Sequence, residues 1–243
     1  MIVPVYRNAA TLRELHARLC AAIGPDRELL FVDDASPDES LTILEALATG
    51  DRTVGVLALA RNVGQNRAIL AGLAYVRGSS IAILDADLQD PPEAIPALLA
   101  ALQEQGGGAV FAGRRASYQG PLRRLSSTLF KALVHRLTGR RVPRDAGLFL
   151  AMSGRAARRL LSAAGTRPYL VALLGRCGVP LRSIPVERAA RREGRSAYSA
   201  LARLRLGLAA VLQLISTDSG QPEPVELRAA FGAPFASSGS AER

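Results

Sequence analysis

One lysine, two cysteines and two histidines in 243 residues narrow the chemistry before any motif is read. Cys20 and Cys177 are far apart, with no CxxC spacing and no cysteine framework, so the expectation is two reduced, buried thiols in a cytoplasmic setting. His16 and His135 are equally isolated, which argues against a histidine metal site or a histidine-based triad. No apolar run reaches the roughly 18–20 residues that span a bilayer. The longest near the end, residues 206–215, is about half that length. A basic segment followed by an apolar run and a cleavage site is missing at the start, so no signal peptide is expected. The chain opens inside its first strand, which suggests that Met1 is a misassigned start. Neither G-x-G-x-x-G after the first strand nor G-x-x-x-x-G-K-[ST] occurs, which removes the common dinucleotide and P-loop phosphate cradles.

What is present is a globular composition, 49% hydrophobic and 21% charged, in a chain long enough for one sizeable α/β domain with appendages. The net charge of +10 is segregated. Residues 120–215 hold 19 of the basic residues against three acids (Asp145, Glu187 and Glu193), while the remainder is net acidic. A preference for Arg codons accounts for the scarcity of lysine but not for this separation. A basic half points to an anionic partner: phosphates, a membrane surface or nucleic acid.

Apolar runs at 2–6, 29–32, 54–59, 81–84 and 109–112 alternate with helical patterns, including 67–76 and 91–103. Strands apolar throughout and separated by helices predict a mostly parallel sheet flanked by helices on both faces. Ligands gather at the carboxyl ends of such strands. Polar clusters fall there each time: Tyr6-Arg7-Asn8, Asp33-Asp34, Arg61-Asn62, Asp85-Ala86-Asp87 and Gly113-Arg114-Arg115. Beyond them, 122–137 and 198–215 read as amphipathic helices with basic faces, and 216–243 as a disordered tail.

In "LDADLQDPPE", Asp85 and Asp87 stand two apart after a strand, so both carboxylates can face one side. Oxygen ligands of this kind suit Mg²⁺ or Mn²⁺. The plainer reading, a capping box of Asp90 and Glu93 around Pro91-Pro92, leaves Asp85, Asp87 and Gln89 unexplained.

Taken in order, "VPVYRN", "FVDDASPDES", "ARNVGQNRAILAGL", "LDADLQDPPE" and "AGRRA" resemble the successive motifs of family 2 glycosyltransferases with the GT-A (Rossmann-like) fold. "RRLSSTLFKALVHRLTG", "VPRDAG" and "RREGRSAYS" resemble the polyprenyl-phosphate subgroup, the dolichol-phosphate mannose synthase type and its bacterial undecaprenyl-phosphate relatives. The resemblance covers roughly residues 2–215. It implies a catalytic nucleotide-sugar domain over 1–158, a C-terminal part of the same domain over 159–215, and the tail. It also implies that Pro4, Tyr6, Asp33 and Asp34 hold base and ribose, with Asp33 or Asp34 accepting from the base edge. Arg61, Asn62 and Gly64 would line the nucleotide, with Asp85 on the nucleotide or metal and Asp87 and Gln89 as metal ligands. Arg114 or Arg115, with Arg123, Arg124 and Ser127, match acceptor-phosphate positions. Asp145 matches a catalytic acid near the sugar, and Arg192, Gly194, Ser196 and Tyr198 match a loop closing over the diphosphate.

The implied activity is metal-dependent, inverting transfer from a nucleotide-sugar to a polyprenyl phosphate, at the cytoplasmic membrane face and without a transmembrane helix. No nucleic-acid partner is implied, and a homo-oligomer is left open. Two other readings stand beside it: a soluble enzyme of the same fold acting on a hydroxyl, with Asp145 as base, and a non-enzymatic binder of anionic surfaces. The sequence departs from the family pattern at Gly147-Leu148-Phe149-Leu150, where bacterial members carry a polar stretch, and at Ala197, where a lysine is usual.

Overall fold

The computed structural model describes residues 1–114, 135–136, 138–139, 141–165, 168–187 and 225–232. The chain starts with β1 (Ile2–Val5), α1 (Ala9–Ile23), β2 (Leu29–Asp33), α2 (Ser40–Gly50), β3 (Val54–Leu59), α3 (Gln65–Tyr75) and β4 (Ser80–Ile83). A 3₁₀ turn (Pro92–Ala94) leads into α4 (Ile95–Glu104) and β5 (Ala109–Arg114). Then come β6 (Leu150–Ser153), α5 (Gly154–Ser162), α6 (Leu170–Arg176), β7 (Leu181–Val186) and β8 (Leu227–Gly232).

The eight strands form one sheet in the order β7-β5-β6-β4-β1-β2-β3-β8. β1, β2 and β3 are buried along their whole length, as continuous apolar runs require when helices cover both faces. Alternate residues feed two cores. Ile2, Leu30, Val32 and Leu57 pack with α3, α5 and α6, whereas Val3, Val5, Phe31 and Val56 pack with α1, α2 and α4. Leu12, Leu15 and Leu19 of α1 are fully buried, the stripe expected of a helix lying on a sheet. On the other face Asn66 accepts a hydrogen bond from Leu170 N–H at 3.1 Å, tying α3 to the start of α6.

The expected mostly parallel sheet is observed, with four of seven pairings parallel, and three features differ. First, β5 does not follow β4 in the sheet, because β6 runs antiparallel between them. β6 is only four residues long and begins at the end of the apolar Gly147-Leu148-Phe149-Leu150, so it carries no alternation to mark it. That departure from the family pattern is core, with Phe149 and Leu150 buried. Second, a boundary at residue 158 falls inside α5, whose start is capped by the Ser153 side chain accepting from Ala156 N–H. Third, the expectation of a disordered tail over 216–243 is corrected at β8, which pairs antiparallel with β3. Its neighbours are rich in Gly, Pro and Ser, and that composition hides a six-residue strand whose order comes from ladder bonds to β3 and from Leu227 packing on the core.

The amphipathic stretches 122–137 and 198–215 lie almost wholly outside the described residues. Among the described residues no helix is long and apolar enough to cross a membrane.

Candidate active site at the carboxyl ends of the strands

Among the described residues, three other than glycine have positive φ: Arg7 (58°), Ala35 (53°) and Leu88 (57°). Each lies just past the carboxyl end of a strand, respectively β1, β2 and β4. Such backbone is costly for residues with a Cβ and persists where surrounding contacts impose it, commonly at functional sites. The contacts are present. Tyr6 N–H donates to Asn8 Oδ1 at 3.0 Å, Arg7 N–H to Ser36 Oγ at 3.2 Å, and Asn8 N–H to Ser40 Oγ at 3.1 Å. Asp38 accepts from Ser40 N–H and from Ala9 N–H at the start of α1, lacing the β1 and β2 loops together. Arg7 lies over the Tyr6 ring at 5.4 Å.

Asp33 and Asp34 are both buried, yet they do different things. Asp34 accepts from Val63 N–H at 2.7 Å and Gly64 N–H at 2.9 Å, and its carbonyl accepts from Asn62 Nδ2 at 3.1 Å. Both its oxygens are committed to shaping the loop after β3. Gly64, at φ 87°, makes the turn into α3 that a side-chain-bearing residue would strain. Asp33 spends one oxygen on Ser36 N–H at 3.2 Å, while its Oδ1 is buried with no partner among the described residues. Burial pushes both carboxyls above the usual range, opposed by those hydrogen bonds.

At the end of β4, Gln65 of α3 donates to Asp85, and Gln89 N–H closes a turn on Asp87 Oδ1 at 3.2 Å. Thr11 of α1 donates to the intervening Ala86 carbonyl at 2.6 Å. The 3₁₀ turn has no side-chain cap, and Glu93 pairs with Arg18 of α1 through two bonds of 2.8 and 2.9 Å. Asp85, Asp87 and Gln89 offer oxygen donors only, and no third carboxylate, histidine or cysteine of the described residues joins them. That set fits a divalent ion such as Mg²⁺ or Mn²⁺ completed by water and substrate phosphate, and does not fit a closed all-protein site.

Further along the sheet, Asp145 accepts from Ser183 Oγ of β7 at 3.1 Å and lies against Gly113 of β5. A Cβ at Gly113 would sit 2.1 Å from Asp145 Oδ2. Pro4 is a buried member of β1, in register with Val32. Its missing N–H falls beyond Ile2, where the β1–β4 register ends. Arg61 and Asn62 are exposed on the loop that Asp34 holds. Arg114 ends β5. Arg115, Arg123, Arg124, Ser127, Arg192, Gly194, Ser196 and Tyr198 lie outside the described residues.

Thr11, Ser40, Gln65 and Ser183 were given no role by sequence reasoning, because their partners lie far away in the chain, where local pattern cannot show them. Among the described residues one three-residue cluster with metal-binding side chains does occur, His16, Cys20 and Asp51, but at the amino ends of β2 and β3. There Arg27 already fills it, lying 2.8 Å from Cys20 Sγ and 3.0 Å from Asp51 Oδ2.

The profile of glycosyl transferase family 2 matches residues 1–162. An undecaprenyl-phosphate 4-deoxy-4-formamido-L-arabinose transferase of Klebsiella pneumoniae is 35% identical over 246 residues, 97% of this chain and 71% of the relative. One of the same description from Shewanella sediminis is 45% identical over 144 residues, 57% of this chain and 43% of the relative. A third, from Edwardsiella ictaluri, is matched over 64% of its length, so the chain spans less than two thirds of two of these relatives. Among solved structures, glucosyl-3-phosphoglycerate synthase from Mycobacterium tuberculosis with Mn²⁺, UDP and phosphoglyceric acid superposes with a TM-score of 0.63 at 20% identity, covering 91% of this chain and 78% of that one. That likeness bears on the fold, which is the GT-A fold expected from the motifs. With the strand-end clusters in place and the profile running from β1 to the end of α5, the chain belongs to glycosyl transferase family 2.

Proposed function

We propose that this chain transfers a sugar, with inversion, from a nucleotide-sugar to a polyprenyl phosphate at the cytoplasmic face of a membrane. The observation that carries this reading is the alignment with undecaprenyl-phosphate sugar transferases, which runs over 97% of the chain and so continues past the nucleotide half into the basic half. A UDP-linked sugar of the kind those relatives are named for is the first donor to test.

In this reading Asp33 presents its partnerless buried oxygen to an N–H on the base edge, and Asp34 shapes the Arg61–Gly64 loop from beneath. Tyr6 lies beside the nucleoside, and Arg192 and Ser196 close over the diphosphate. Asp85, Asp87 and Gln89 hold a divalent ion, Mg²⁺ or Mn²⁺, whose charge stabilises the departing nucleoside diphosphate. The acceptor needs no general base. A phosphate monoester has its second pKa near 6, so it arrives as a dianion. It needs cations to hold it in line with the anomeric carbon, which is the role of Arg114, Arg115, Arg123 and Arg124, with Ser127 as a neutral donor. Asp145, steadied by Ser183 and Gly113, positions the sugar. The basic faces of 122–137 and 198–215 bring the protein to anionic lipid.

The test is incubation of the folded protein with a panel of UDP-sugars, Mn²⁺ and undecaprenyl phosphate, with undecaprenol as the acceptor lacking phosphate. A glycolipid of the expected mass from the phosphate alone is the predicted result. No product from any donor, or product from the alcohol as well, would count against the reading. Asp87→Ala is expected to abolish transfer with its circular dichroism unchanged; equal metal-dependent activity in the variant would remove Asp87 from the site.

A further inference from the structure

Gln65, the first residue of α3, is set in place by contacts on either side of it. Just before it, Asp34 takes the N–H groups of Val63 and Gly64. Just after it, Asn66 accepts from Leu170 N–H at 3.1 Å. Further back, Ala60 N–H donates to the Glu226 carbonyl at 3.0 Å, which braces the start of the loop on β8. Arg67 and Ala68 N–H both return to the Gly64 carbonyl at 3.0 Å and close the first helical turn around Gln65. α3 is the crossover that runs from β3 back over β2 and β1, toward β4. From its first turn the Gln65 amide therefore reaches a residue distant in the chain, donating through Nε2 to Asp85 Oδ1. Both residues are half-buried.

Building on the donor-site reading above, we propose that Gln65 is a positioning residue for the metal site: it orients Asp85 toward the divalent ion without itself touching the ion or the nucleotide. The backbone of the same segment is fixed separately, by Thr11 donating to the Ala86 carbonyl at 2.6 Å. What the Gln65 bond adds is the direction of the Asp85 side chain. A donor on one carboxylate oxygen sets the plane in which the group can meet a cation, and such outer partners hold metal ligands in place. A neutral amide suits the task, because it donates without bringing a positive charge beside a divalent ion. Through this one bond the loop that Asp34 shapes also becomes part of the metal site.

UDP binding to the full chain, measured by calorimetry over a series of Mn²⁺ concentrations, distinguishes the outcomes, with uridine as the ligand that lacks phosphates. Gln65→Met keeps the length of the side chain but cannot donate. It is expected to need about 10–100-fold more Mn²⁺ for the half-maximal gain in UDP affinity, the range typical of losing an outer partner of a metal ligand. At saturating Mn²⁺ its UDP affinity should return to that of wild type, and its uridine affinity should be unchanged throughout. Gln65→Asn, too short to reach Asp85, should shift the same way and serves where the methionine variant fails to fold. An unchanged Mn²⁺ requirement would overturn the proposal. So would a loss of UDP binding that extra Mn²⁺ does not restore, or a loss of uridine binding, since either would put Gln65 on the nucleotide or in the shape of the loop alone. Each of these results leaves the donor-site reading standing, because wild type still binds UDP with Mn²⁺. If folded wild type binds no UDP, or binds it with no dependence on Mn²⁺, the metal-bridged donor site fails and this inference falls with it.

Discussion

Asp33 and Asp34 are neighbours of one kind, buried at one strand end, and their hydrogen bonds alone separate them. The sequence shows a pair of acids, and the structure assigns one to the loop and leaves the other with a free oxygen. A carboxylate held above its ordinary pKa by burial costs stability once it ionises, because the unfolded chain ionises it more cheaply. Such a group contributes fully to stability only below its unfolded pKa, and the contribution is lost as pH rises through the folded value. Asp33→Asn is therefore expected to stabilise the protein at neutral pH while weakening nucleotide binding. The gain should shrink as pH falls into the carboxylate range, as read from denaturant midpoints across pH. Gly113 is the second residue whose role is legible only in three dimensions. Gly113→Ala would force Asp145 off its place, since no room exists for the new methyl group. The expected result is a loss of transfer of at least tenfold with the donor KM little changed, measured by product formation at saturating donor.

At the level of elements, what holds the site is a set of bonds between loops and the helices behind them, with a counterpart at the far end of the sheet. There α1 and α2 are joined where Asp51 receives His16 at 2.9 Å, Arg27 at 3.0 Å and both Thr53 donors, at 2.7 and 2.8 Å. Partial burial works against ionisation, but the Thr53, His16 and Arg27 donors outweigh it and hold Asp51 well below the usual carboxylate range. A depressed carboxyl pKa contributes stability that is present above the unfolded value, near 4, and is lost as pH falls toward the folded one. Asp51→Asn should cost about 2 kcal/mol at pH 7, the scale of hydrogen bonds to a charged group, and the variant should lose less stability than wild type on acidification. Thermal unfolding at pH 7 and pH 3 checks both statements. Helix α1 and strands β1 to β3 were readable from periodicity because each is long and uniformly patterned. The bidentate pairing of Glu93 with Arg18 was not readable, because a neighbouring helix supplies Arg18, a partner that local spacing cannot show.

Across the whole molecule, the sheet gathers segments from far apart in the chain: β5 with β7, and β3 with β8. A chain ending at residue 224 should lose the brace on the Ala60–Gly64 loop. It is expected to unfold at lower denaturant and to bind UDP at least fivefold more weakly; unchanged midpoint and affinity would show β8 to be dispensable. The sequence by itself determined the class of fold, the order of the first five strands and the location of the polar clusters at their ends. It could do so because hydrophobic periodicity and strand-end position are local properties. Only the tertiary structure decided that β6 enters antiparallel between β4 and β5, that Asp34 is a brace while Asp33 keeps an open acceptor, and that a stretch read as tail returns to pair with β3. Those outcomes rest on hydrogen bonds and close contacts between residues distant in sequence, which no local pattern encodes.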